Sequence, residues 1–116
     1  MTEATSKTKV PETISALRDE LKQSPKDRET HTRLGWALFS LDQIDEAVET
    51  FQAAYEQWPD DIEVNYGFGL ALKTQGQSEQ ALVSFKRAEE IEPDTVRASM
   101  MRQLAAEQKE YLLQKF

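Results

Sequence analysis

The 116-residue chain has no cysteine, which excludes disulfides, thiolate catalysis and cysteine-ligated zinc or iron–sulfur sites outright and fits a reducing compartment. It has no run of about 18 apolar residues, so no membrane insertion is expected. The opening MTEATSKTKV lacks the apolar segment of a secretory signal. Its starting Met and polar residues read as a natural beginning, and a cytoplasmic location is expected. Clustered basic charge is missing too: 14 Lys and Arg lie scattered among 21 Asp and Glu, for a net charge of −7. A nucleic-acid footprint needs a basic patch, so no nucleic-acid partner is expected. There is one histidine, His31, and no glycine-rich phosphate loop.

What is present is repetition. Displaced by 34 residues, 28–61 falls onto 62–95. Gly35 meets Gly69, Ala37 meets Ala71 and Leu38 meets Leu72; Ala47 meets Ala81, Phe51 meets Phe85, Ala54 meets Ala88, and Pro59-Asp60 meets Pro93-Asp94. Within each unit, Leu34, Leu38 and Leu41 recur at helical spacing. A polar break follows, Asp42-Gln43 in one unit and Gly76-Gln77-Ser78 in the other. A second helical run then carries Ala47, Val48, Phe51, Ala54 and Tyr55. Pro59 and Pro93 stop it by disfavouring helical geometry in the residue before them. Asp60 is placed to cap the next helix, with Glu63 completing a capping box, and Asp94 to cap the last. Each unit is therefore expected to be a helical hairpin.

These residues resemble the tetratricopeptide repeat family. Its pattern of Leu-Gly, Ala-x-x-x-Phe and a closing proline is matched by Leu34-Gly35, Ala47, Phe51, Ala54 and Pro59. The second unit matches with Phe68-Gly69, Gly76, Ala81, Phe85, Ala88 and Pro93. His31 and Asn65 stand where the family's tryptophan is usual, Leu38 and Leu72 replace its tyrosine, and Asp42 replaces a turn glycine. The resemblance implies an all-α fold, a right-handed α-solenoid of stacked helical hairpins.

The flanks extend the pattern. Pro25 lies one period before Pro59, and Ile14, Leu17 and Leu21 one period before Val48, Phe51 and Tyr55. About six helices are expected: a half repeat over 11–24, repeats over 28–61 and 62–95, and a closing helix over 95–116. Pro11 suits the first turn of the half repeat. Residues 1–10 are polar and expected to be a disordered tail.

A hairpin cannot bury its apolar side alone, so neighbours must stack. Phe51 and Phe85 are expected to fill the space between hairpins, with Gly35, Gly69 and the alanines allowing close approach. In the first unit, Thr32, Trp36 and Phe39 lie opposite the core stripe of Leu34, Ala37, Leu38 and Leu41. In the second, Tyr66, Leu70 and Lys73 take that phase. In the closing helix Met100, Leu104 and Tyr111 lie opposite Ala98, Ala105, Leu112 and Phe116. In the resembled family the first helices line a concave side. The surplus of apolar residues at one phase on three helices thus predicts an apolar groove for an amphipathic helix or extended segment of a partner protein. The competing reading is that Trp36 and Phe39 are structural.

The family's carboxylate clamp, carried over by position, falls on Thr32, Trp36, Gly67, Arg97 and Met101; only Arg97 has suitable chemistry, so that mode is not expected. An acidic surround including Glu29, Glu63 and Glu107 favours a basic partner, although acids at helix starts also suit the dipole. His31 has no partner for acid–base work and reads as a partly exposed helix residue. Asp42, Asp45 and Glu46 lack the spacing and glycine of a calcium loop. No cofactor, metal or enzymatic activity is expected. A self-associating module, dimerising through the truncated first repeat or the tail Tyr111–Phe116, is the alternative.

Overall fold

The computed structural model describes residues 9–115, and among them six helices and no strand. In chain order these are α1 (Lys9–Gln23), α2 (Arg28–Ser40), α3 (Ile44–Gln57), α4 (Ile62–Gln75), α5 (Ser78–Glu90) and α6 (Val96–Lys115). Of the segment expected to be a disordered tail, residues 1–8 lie outside the described residues, while residues 9 and 10 belong to α1. A helix starting there tolerates Pro11, because the first four N–H groups have no intrahelical acceptor and a missing one costs nothing. Phe116 also lies outside the described residues.

Three of the helices start in the same way. Asp27 caps α2, its carboxylate accepting from Glu29 N–H at 3.2 Å and Thr30 Oγ1 at 2.7 Å. Asp61 caps α4 by accepting from Val64 N–H at 2.9 Å, and Thr95 Oγ1 accepts from Ala98 N–H at 2.9 Å. The caps are therefore Asp61 and Thr95, one residue after the expected Asp60 and Asp94. The turn decides this: Asp61 N–H bonds to Trp58 O at 3.2 Å, enclosing Pro59 and Asp60, and Asp61 has the extended backbone a cap requires (φ −97°, ψ 128°). Asp60 instead pairs with Arg87. Glu63 makes no capping box; its carboxylate is drawn elsewhere. Inside each hairpin the chain reverses through a left-handed residue, Asp42 (φ 63°) in the first and Gly76 (φ 98°) in the second.

Each helix packs on the next, and in addition α2 touches α4 and α4 touches α6, so these three form a continuous layer. The stack measures 49 × 27 × 24 Å. At its centre Phe51 and Phe85 are fully buried. Built on Gly35, a Cβ would stand 2.7 Å from two Phe51 ring carbons; on Gly67 it would stand closer still to the same ring, from the neighbouring hairpin. Phe51 is thus clamped between two glycines. Phe85 lies equally close to Gly69, at 2.6 Å. Ile14, Leu17, Leu34, Leu38, Leu72, Ala105 and Leu112 complete the core. Leu41, expected in that stripe, is 39% exposed, because α2 ends at Ser40 and Leu41 leaves the helical register.

Candidate functional site

Because the capped starts of α2, α4 and α6 recur every 34 residues, the three helices begin at one end of the molecule and run side by side. A cleft of about 720 Å³ opens between those starts, with Arg28, Trp36, Glu63, Asp94, Arg97 and Met101 among its lining residues. Glu63 ties the three helices together. Its Oε2 accepts from Trp36 Nε1 on α2 at 2.8 Å and from Arg97 on α6 at 2.8 Å, and its Oε1 lies 3.5 Å from Arg28. Burial alone would raise the pKa of Glu63; the hydrogen bonds from Arg97 and Trp36 and the charges of Arg97 and Arg28 outweigh it and hold the carboxyl below its ordinary range.

Trp36 is half-buried in this arrangement. Its ring meets Phe51 edge-on at 5.1 Å, Phe39 at 6.2 Å and Tyr66 at 6.0 Å. It therefore packs the stack and lines the cleft at once. Further along the same layer lie Phe39, Tyr66 and Leu70, all half-buried, then Met100, Leu104 and Tyr111 on α6, which are 62%, 40% and 48% exposed. Lys73 donates to Gln108 at 2.7 Å and sits 4.7 Å from the centre of the Tyr111 ring, closing the far end. Tyr66 is held above the ordinary phenol range by burial and by the charge of Glu107.

Of the ten residues picked out from the sequence, Thr32 is the one sunk from view. It is 2% exposed, and its hydroxyl closes on Glu29 O at 3.0 Å. Trp36, Phe39 and Tyr66 cluster, Lys73 meets Tyr111, and Arg97 joins the cleft through Glu63. Arg28, which pairs with Asp61 as well as Glu63, had no sequence signal beyond its place at a helix start. Glu63 stood out only as an acid of the surround; its three partners lie 27 to 35 residues away and come together only through stacking.

His31 departs from its expected partial exposure. It is buried, edge-on to Trp58 at 5.2 Å, with Nδ1 at 3.0 Å from Asp27 O. It packs the start of α2 against the end of α3 within its own hairpin, and the same position one period later is Asn65, whose amide donates to Pro59 O and Asp61 O, both at 2.9 Å. Among the described residues no group of three or more His, Cys, Asp or Glu is placed to hold a metal ion, and no helix is long and apolar enough to cross a membrane.

A family model described as tetratricopeptide repeat matches residues 41–106, and a second with the same description matches residues 9–62. No curated protein matches the sequence. Among solved structures the chain is similar to MamA AMB-1, at 28% identity and a TM-score of 0.68, over 75% of this chain and 51% of that one. It is similar to MamA MSR-1 at 25% identity and a TM-score of 0.65, over 95% of this chain and 66% of the other. The chain thus spans about half the length of MamA AMB-1 and about two thirds of MamA MSR-1.

Proposed function

The chain belongs to the tetratricopeptide repeat family, and we propose that it is a non-catalytic adaptor or scaffold that holds a helical or extended apolar segment of another protein along the face shared by α2, α4 and α6. Membership of the family and the likeness to MamA structures support a protein–protein interaction module in general. One observation carries the more specific reading. Met100, Leu104 and Tyr111 stay exposed on α6, which packs on α4 with its half-buried Tyr66 and Leu70, and α4 packs in turn on α2 with its half-buried Phe39, so apolar residues recur at one phase on three successive helices. The binding uses no cofactor and takes place in the cytoplasm.

The test follows from exposure. Trp36 touches Phe51, so its truncation would disturb the core along with the face; Met100 and Leu104 offer a cleaner probe. Replacing both with serine should leave the helical content and melting temperature near those of the wild type while abolishing partner capture in pull-downs. Recovery of the same proteins by the double variant would reject the groove. A second reading, self-association, is favoured by Leu113, 48% exposed on the closing helix. Sedimentation across a hundredfold concentration range separates the two: a concentration-independent monomer is expected of the adaptor.

A further inference from the structure

The groove differs in charge from one end to the other, and on the reading just given that difference sets the direction of what lies in it. At the cleft end Glu29, Glu92 and Asp94 are exposed and carry no ion pair among the described residues, against one unpaired cation, Arg33. Glu63 and Asp61 do not add to this surplus, being neutralised by Arg28 and Arg97. At the opposite end Lys73 and Lys115 flank the Tyr111 ring, with their Nζ atoms 4.7 and 5.2 Å from its centre. Between the two ends the lining is apolar at Tyr66, Leu70, Met100 and Leu104, with the exposed carboxylate of Glu107 near Tyr66, so the basic end carries a smaller surplus than the cleft end. The distance from Ala98 in the cleft to Tyr111 is 13 helical residues, about 20 Å at 1.5 Å per residue. A guest helix of about four turns covers it.

We infer that the groove takes an amphipathic partner helix lying antiparallel to α2, α4 and α6, with lysine or arginine in its last turn against Glu29, Glu92 and Asp94, and acidic residues in its first turn against Lys73 and Lys115. Two physical effects select the same direction. The three host helices point their N-termini, the positive ends of their dipoles, at the cleft, and an antiparallel guest brings its negative C-terminal end there. A helix is also most stable when its own acids lie in the first turn and its bases in the last. A guest built that way therefore matches the groove in one direction only, whereas the reverse orientation sets like charges together at both ends.

The test uses three synthetic helical peptides of 16 residues sharing one apolar face. One is acidic in its first turn and basic in its last, one has these charges exchanged, and one carries glutamine at both ends. Titrated into the full chain and followed by anisotropy of a dye on the peptide, the first should bind at least tenfold more tightly than the uncharged peptide, and more tightly than the second, which matches the charges only by lying against the dipoles. The gap should narrow in 0.5 M salt, because exposed charges are screened. Glu92→Lys with Asp94→Lys, both on the exposed connection before α6, should reduce or invert the preference. A spin label at the C-terminus of the first peptide should broaden amide signals near Asp61 and Ala98; broadening near Tyr111 instead overturns the assigned direction. Equal affinity of all three peptides overturns the inference and leaves the groove as an apolar binding site. Failure of all three to bind at millimolar concentration overturns the groove as well.

Discussion

Gly35 and Gly76 are both glycine, for unrelated physical reasons. At Gly35 the backbone is ordinary helix, but a Cβ would stand 2.7 Å from the Phe51 ring, inside contact distance. At Gly76 a Cβ would meet nothing within 4 Å, but the residue turns the chain at φ 98°. Alanine at either site should destabilise, through overpacking by about 1–3 kcal/mol at 35 and through left-handed strain by about 1–2 kcal/mol at 76. Urea titration with a circular dichroism readout gives both numbers. The two mechanisms separate when Phe51 is shortened to leucine in a second round: the smaller side chain should relieve Gly35→Ala and leave Gly76→Ala unchanged. Asp42 occupies the corresponding turn of the first hairpin at φ 63°.

For the helices, what matters is how each one begins and what its first turn reaches. Asp61→Ala should cost about 0.5–2 kcal/mol by leaving Val64 N–H without its acceptor, whereas Asp60→Ala removes only an exposed ion pair and should cost under about 1 kcal/mol. Comparing the two melting temperatures checks the assignment. The helices and their period could be read from the sequence because Pro25, Pro59 and Pro93 repeat a tertiary constraint as a local pattern. The position of the cap inside each turn could not. Asp60 and Asp61 are equally good capping residues, and only the Trp58–Asp61 hydrogen bond separates them. That Trp36, Tyr66 and Met100 share a phase on successive first helices was legible for the same periodic reason, while the partners of Glu63 on two other helices were not, since no pattern along one helix specifies its neighbours. Glu63 makes a pH prediction with a definite sign. Its pKa is lowered in the folded chain, so its contribution is fully present above the unfolded value of about 4.5 and is lost as the pH falls through the lower folded value. Glu63→Gln should therefore be less stable than the wild type at pH 7, by about 1–2 kcal/mol. The gap in urea midpoint should close progressively in acid. A gap that stays constant down to pH 3 would contradict the ion cluster.

The whole molecule is held by nearest-neighbour contacts between hairpins, so damage to one junction is felt throughout. Phe85 is fully buried, and Phe85→Ala should cost about 3–5 kcal/mol, a large share of a typical domain's stability. Loss of most helical signal at a much lower temperature is the expected outcome in a thermal scan; an unchanged midpoint would show that the second junction carries little of the stability. The clamp around Phe51 has one more consequence. Its outer jaw, Gly67, lies in the second hairpin, and the residue one period later is Met101, packed against the core but bearing a side chain where Gly67 has none. A gene carrying residues 62–95 twice would place the Phe85 of the added copy against the Gly67 of the original, reproducing the existing joint. Doubling residues 28–61 would set Arg33 against a phenylalanine instead. The second hairpin is thus the unit by which this chain can grow, lengthening the layer of α2, α4 and α6 by one helix while keeping both of its ends.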